Sequence, residues 1–387
     1  GSGTIYANAR ITGTGNLVID MTNPTDTVEY WANYNTYTGT TTVKNGILQL
    51  ESLYNTYPTD PTHPNWFAIN GPLVVGDGTG AAGSAKVFIQ SGTFYNELMN
   101  YTTPVSLFRD GLLLVQSTQS INTLTFTGGR VDVSSAGGLY LNGDVTVNAS
   151  AGNTAVIDGS GGTLSLTIHK GAAFNPANAD RVFNVVGGVG NASDLTINST
   201  INNGGITKNG AGTMTITSDN TSGYEGTTTI NNGILAITHG KALGQASGGD
   251  TDATIVNSGG TLQLQNNITV NSEKLTLSGN GFGGNGALQN LSGNNTWAGA
   301  VVLGADARLQ SDAGLLTVSG SVTSATNANL DVRGSGNTTV SGDIGTGNGG
   351  ITKNGTGTLT LSGNNTFAGA TTISQGVVSL QSNTGLG

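Results

Sequence analysis

Short runs along this chain alternate an apolar residue with threonine or another small polar one. Leu359 and Leu361 alternate with Thr358 and Thr360, Met214 and Ile216 with Thr213 and Thr215, and TLTFTGGRVDV and GLYLNGDVTVN carry the same two-residue period through 123–148. A period of two gives a strand with one apolar face and one hydroxyl face. Threonine, β-branched, favours extended backbone and keeps the outer face wet. Between the runs stand Gly and Asn, as in Gly363-Asn-Asn365, Gly369 and Gly376. Both residues accept positive φ and suit tight corners. The pattern predicts strand, corner, strand, corner, strand. No stretch has a helical period of useful length; Ala172–Arg181 is the one candidate for a helical turn, and Pro176 argues against it.

The unit repeats. GITKNGAGTMTI at 205–216 returns as GITKNGTGTLTL at 350–361. Ile206 matches Ile351, Lys208 matches Lys353, Gly210 and Gly212 match Gly355 and Gly357. After Thr221 the earlier copy carries two extra residues, Ser222-Gly223. Gly226 then matches Gly369, Ile230 matches Ile373, Gly233 matches Gly376, and Leu235 and Ile237 match Val378 and Leu380. A partial copy, LSGNNTWAGAVVL at 291–303, puts Trp297 where the last copy has Phe367. An interrupted copy opens the chain, with Gly13-Thr-Gly-Asn-Leu17 leading in and Asn35-Thr-Tyr-Thr-Gly39 running into TTTVKNGILQL; here Tyr37 takes the aromatic position. A unit of this length stacks on its neighbours and presents a long surface instead of one pocket.

These residues resemble the passenger-associated repeat of bacterial autotransporters. The family pattern is roughly G-x-(I/L)-x-K-x-G-x-G-T-L-x-L-S-G-x-N-T-(Y/F)-x-G-x-T-x-(I/V)-x-x-G-x-L-x-L, and 350–380 fits it almost position by position. A closing segment ending Ala-Leu-Gly appears as Lys241-Ala-Leu-Gly244 and, altered, as Thr384-Gly-Leu-Gly387. Clear copies cover about a third of the chain. The resemblance implies an all-β fold, a right-handed parallel β-helix (β-solenoid) with N-terminal loop insertions, on a cell-surface or secreted protein. It implies a scaffold and names no ligand.

Composition narrows the picture further. The 387 residues include 63 glycines and no cysteine, and 9% are charged. Recurring Ile, Leu and Val in alternating runs favour order over the disorder that high glycine alone suggests. Absence of cysteine excludes disulfides, iron–sulfur clusters and thiol chemistry. The net charge of −9 argues against nucleic acid. No apolar run approaches the ~18 residues of a membrane helix. Gly1-Ser-Gly-Thr-Ile5 has no leader-like pattern and no barrel-like run follows the last repeat. The chain therefore reads as a segment of a longer polypeptide, with any outer-membrane link through a barrel absent from it.

Six of seven prolines and 14 of 22 aromatics lie in residues 1–108. Residues 51–72, ESLYNTYPTDPTHPNWFAINGP, read as a loop leaving the solenoid, because proline cannot donate to a sheet ladder. The expected division is 1–110, initial coils with Pro- and aromatic-rich insertions, and 111–387, regular solenoid. Trp31, Tyr54, Tyr57, His63, Trp66 and Phe67 form a candidate interaction loop. Such loops either recognise a partner or glycan, or pack on themselves as a cap.

Catalytic signals are sparse. His63, His169 and His239 are far apart and in no metal-ligand spacing. The GxGxxG matches Gly279-Gly281-Gly284 and Gly345-Gly347-Gly350 lack a following helix, so neither reads as a dinucleotide site. No cofactor is implied, apart from a candidate Ca2+ corner at Asp250 and Asp252, for which plain acidic turn residues are the alternative. Asn–x–Ser/Thr triplets at Asn148, Asn198, Asn294 and Asn364 fit asparagine stacked inside corners. The leading expectation is a non-enzymatic adhesive or aggregating scaffold on the bacterial surface, with specificity in the N-terminal loops. The alternatives are an extracellular filament or biofilm-matrix subunit associating head to tail, and a polysaccharide-active β-helix enzyme.

Overall fold

The computed structural model describes residues 3–7, 9–31, 35–51, 67–90, 98–134, 137–166, 169–170, 173–174, 180–188 and 190–387, with backbone alone at 31, 160, 169–170 and 173–174. The chain divides into two compact units, Gly1–Gly204 and Gly205–Gly387. Each is a parallel β-solenoid.

In the unit Gly1–Gly204 the strands fall into three parallel stacks. One runs Thr4–Ala7, Thr27–Trp31, the second half of Thr41–Glu51, Ala85–Ile89, Gly111–Val115, Gly129–Ser134, Ala155–Ser160 and Leu195–Ile197. The next runs Leu17–Asp20, the first half of Thr41–Glu51, Leu73–Val75, Val105–Phe108, Leu124–Thr127, Val145–Asn148 and Arg181–Val186. The third holds Thr118–Ile121, Gly138–Leu141, Thr163–Ser165 and Thr200–Asn202. An antiparallel hairpin, His169–Lys170 with Ala173–Phe174, departs from this plan near the expected helical turn.

The period-two pattern explains the core. Leu48, Val87, Leu113, Val131, Ile157 and Ile197 lie in register, each fully buried, one per coil. Each buried aliphatic of this kind is worth about 1.5–3 kcal/mol. The ladder is continuous, so the fold needs no other centre.

In the unit Gly205–Gly387 three stacks recur. The first contains Ile206–Asn209, Thr228–Ile230, Thr254–Val256, Leu275–Gly279, the start of Val301–Ser311, Val322–Thr323 and Ile344–Gly345. The second contains Thr213–Ile216, Gly233–Ile237, Gly260–Leu264, Leu288–Asn290, the end of Val301–Ser311, Leu330–Arg333, Ile351–Asn354 and Thr371–Ile373. The third contains Thr269–Val270, Asn294–Trp297, Leu315–Val318, Asn337–Val340, Thr358–Leu361 and Val377–Leu380. The helical element among the described residues is one 3-10 turn, Phe282–Gly284, inside the first GxGxxG match. Among the described residues no helix is long and apolar enough to cross a membrane.

Corners leave backbone amides outside the strand ladders, free to bond to side chains. Side chains of the preceding coil accept from them. Asn327, Asn337 and Asp343 accept the backbone N–H of Asn348, Thr358 and Asn364 at 3.0, 2.9 and 2.7 Å, each 21 residues on. Glycine is required where corners stack most closely. A Cβ at Gly320, Gly342 or Gly363 would run into the carbonyl oxygen of Gly299, Gly320 or Gly342, the equivalent glycine one coil earlier.

Candidate functional site

The repeat corner is the most elaborately built feature of the fold. Its aromatic is buried in every copy: Tyr37, Tyr224, Trp297 and Phe367. Four residues after each tyrosine comes a threonine at the head of the next strand. The Tyr37 and Thr41 hydroxyls meet at 2.5 Å, those of Tyr224 and Thr228 at 2.6 Å. In the last copy Phe367 has no hydroxyl, and the buried Thr371 Oγ1 is without a partner. In the partial copy Val301 replaces the threonine, and Trp297 Nε1 is buried and unpartnered.

Ahead of each aromatic a buried asparagine ties coils together. Asn295 Oδ1 accepts the Ile268 amide at 2.7 Å, and its Nδ2 donates to Ser292 O at 2.8 Å. Asn365 Oδ1 accepts the Ile344 amide at 2.9 Å, and its Nδ2 donates to Gly385 O at 2.8 Å. Asn35 accepts from the Ile11 amide at 2.7 Å, and Asn220 donates to Ala242 O at 2.7 Å. The triplet asparagines Asn294 and Asn364 are exposed; the stacked, buried residues are their neighbours Asn295 and Asn365. A shift of one residue along an extended segment changes the face.

Two matched lysines are buried, Lys208 and Lys353. Lys208 Nζ donates to Asn209 O, Gly210 O and Asn232 O at 2.9, 2.8 and 3.1 Å. Lys353 Nζ donates to Gly355 O, and to Gln375 O at 3.4 Å. Burial holds the Lys353 ammonium below its ordinary pKa, an effect that Asp331 opposes. The ammonium satisfies carbonyls of two successive corners, which explains the matched glycine beside it. A Cβ at Gly233 would lie 2.8 Å from Lys208 Nζ, and one at Gly376 would lie 2.8 Å from Lys353 Nζ.

The copies do not occupy the same faces. Ile206–Asn209 belongs to the first stack and Ile351–Asn354 to the second; Thr213–Ile216 belongs to the second and Thr358–Leu361 to the third. The repeated residues therefore form no continuous strip along one side of this unit. Their buried lysine and asparagine side chains hold coils together.

Of the candidate interaction residues, Phe67 has a described side chain, 9% exposed. The backbone of Trp31 pairs with Glu51 at the end of its strand. Tyr54, Tyr57, His63 and Trp66 lie outside the described residues. Ile47 pairs with Lys86, so the segment 52–66 falls within a single passage between adjacent strands of one stack. His239 Nδ1 accepts the Lys241 amide at 3.3 Å. The two candidate calcium ligands are committed separately: Asp250 to the Lys274 ammonium, and Asp252 to the Ser247 amide at 2.5 Å and hydroxyl at 2.9 Å. Among the described residues no three His, Cys, Asp or Glu side chains are grouped to hold a metal.

Sequence reasoning missed Glu273, which is 2% exposed. Thr254 Oγ1 donates to its Oε1 at 2.7 Å. Desolvation pushes the carboxyl up to about 8, the Thr254 hydrogen bond opposing this and Asp252 adding to it. The available signal was positional. Glu273 stands two residues before Leu275, where the repeats place the corner glycines Gly226, Gly299 and Gly369 before Thr228, Val301 and Thr371.

This geometry defines the class as a repeat-built parallel β-solenoid scaffold. The family model described as Passenger-associated-transport-repeat matches at 32–50, 206–237 and 351–380. At these three segments the chain carries the repeat that its sequence resembles in the passenger domains of bacterial autotransporters. No curated protein matches it, and no solved structure does. The repeat match and the commitment of the corner lysines and asparagines to coil-to-coil hydrogen bonds are what a structural scaffold shows.

Proposed function

We propose that the protein is a cell-surface or secreted scaffold whose adhesion or aggregation specificity resides in the Pro- and aromatic-rich insertion at 52–66 and its flanks. The observation that carries this reading is the change of face between copies. A ligand strip along a solenoid needs the same residues on the same side coil after coil, and the repeats do not provide it. The segment after Glu51 is different in kind, with three prolines and the Tyr54, Tyr57 and Trp66 rings within one passage of chain. Rigid aromatics on a fixed scaffold suit recognition of a cell-surface protein or glycan. Deleting 52–66 is expected to abolish surface binding or aggregation while the far-UV dichroism stays β. Unchanged binding by a folded deletion variant would remove the insertion from the account.

Head-to-tail association is the second reading. It draws on Ile373, Val377 and Leu380, which are 54%, 55% and 47% exposed on the last two strands. A following coil or a second copy would cover them equally well. Sedimentation over a concentration series separates the two: a monomer at every concentration would sink self-association.

A further inference from the structure

Asn-Gly occurs ten times in this chain. Such a step can close on itself, because glycine does not obstruct attack by its own amide nitrogen on the preceding side chain. Closure requires that nitrogen to approach Cγ. At Asn232-Gly233 the side chain is folded back toward that nitrogen: the Gly233 amide donates to Asn232 Oδ1, on the residue just before it, at 2.8 Å. Asn45, Asn70, Asn142 and Asn203 direct their side-chain N–H to other groups instead. Asn209 Oδ1 accepts from Asn231 Nδ2 at 2.9 Å. Asn232 is exposed, so water reaches the site. Its own backbone carbonyl accepts from the Lys208 ammonium at 3.1 Å. A cation on that oxygen withdraws electrons from the peptide and acidifies the Gly233 N–H.

We propose that Asn232 is a site of spontaneous, structure-promoted deamidation. Solvent hydroxide removes the Gly233 amide proton. The nitrogen attacks Asn232 Cγ, the N–Cγ bond forms, and the Cγ–Nδ2 bond breaks with release of ammonia, which takes a proton from water. The resulting succinimide adds one water at either carbonyl and opens to aspartate or isoaspartate. Held geometry of this kind replaces a chance encounter by a preset one. The product places a carboxylate, and in the isoaspartate case an extra backbone methylene, beside the Lys208 ammonium. The other matched corner is an internal comparison. Lys353 donates to Gln375 O ahead of Gly376, in the same arrangement, but glutamine would have to close a larger ring and reacts far more slowly.

The test is peptide mapping by mass spectrometry after incubation of the folded chain at mildly alkaline pH. The Asn232 peptide is expected to gain about 1 Da ahead of the other Asn-Gly peptides. Its rate is expected to exceed that of Asn209 by roughly tenfold. In urea, where every Asn-Gly step is equivalent, that lead should vanish. Gln375→Asn is expected to create a second fast site, and Asn232→Gln to abolish the first with the fold retained, since glutamine already serves at 375. Slower conversion of Asn232 in the folded chain than in urea would overturn the proposal. So would a folded Gln375→Asn variant that does not react at 375.

Discussion

The copies at 206–237 and 351–380 build the same corner with different completeness. Around Tyr224 the phenol oxygen meets Thr228, and the Lys208 ammonium holds three carbonyls. Around Phe367 the same threonine position survives at Thr371 without a partner, and Lys353 is held by two carbonyls. The difference separates what the repeat requires from what it merely uses. Burial of an aromatic, an asparagine tying coils and a glycine beside the lysine recur in both copies. The phenol oxygen does not recur, so it adds stability without determining the corner.

The severest way to break the comparison is at the shared glycine. Gly233→Ala puts a methyl against Gly212 O and Lys208 Nζ at a backbone φ of 74°. It is expected to cost about 3 kcal/mol or more in urea unfolding. Gly376→Ala, at φ 85° with contacts of the same kind, should act in the same direction. A neutral effect at Gly233 would mean that the lysine cage is not rigid.

Removing the ammonium comes next. Lys208→Met leaves three carbonyls without that donor, an expected loss of about 2–3 kcal/mol by the same measurement. Lys353→Met should cost less, because its ammonium serves fewer carbonyls. Equal losses would show that the hydrogen-bond difference between the corners has no energetic weight.

Glu273 is a third version of the corner, with a carboxyl where the copies have glycine. Its folded pKa of about 8 lies above the ordinary 4.5, so the folded state keeps its proton longer than the unfolded one. The group therefore has no effect on stability well below pH 4.5, and stability falls as pH rises from there to about 8. Glu273→Gln should remove that fall and stabilise the protein by on the order of 2 kcal/mol at the alkaline end. Parallel stability–pH curves for the two proteins would refute a buried, protonated carboxyl.

Much of this was legible from the residues. Thr358–Leu361 and Thr213–Ile216 read as strands because leucine, methionine and isoleucine alternate with threonine, and the parallel pairings follow that period. The alignment of Tyr37, Trp297 and Phe367 marked equivalent aromatic positions, and the structure buries them together with Tyr224. Less was legible where parity or distance along the chain decides. The buried asparagines are one residue away from those the triplets suggested. The change of face between copies depends on how many sides the intervening chain completes, a sum no local pattern contains. Glu273 looks like a surface residue until the Thr254 strand is stacked against it. At the candidate interaction loop, Phe67 is buried, and nothing in the alternation of 51–72 distinguishes an inward ring from an outward one.

The smallest expected effect gives the most direct test of the central claim, that the two copies are one scaffold corner, to which the Tyr224 phenol oxygen adds a bond that Phe367 cannot make. The measurement is the unfolding free energy of Phe367→Tyr, alone and combined with Thr371→Val. Supplying the phenol should pair the Thr371 hydroxyl and stabilise the protein by about 1 kcal/mol, and the gain should disappear in the valine background. The reciprocal Tyr224→Phe should lose a similar amount. A gain that persists without the threonine hydroxyl, or a folded Phe367→Tyr protein no more stable than the parent, would contradict the account.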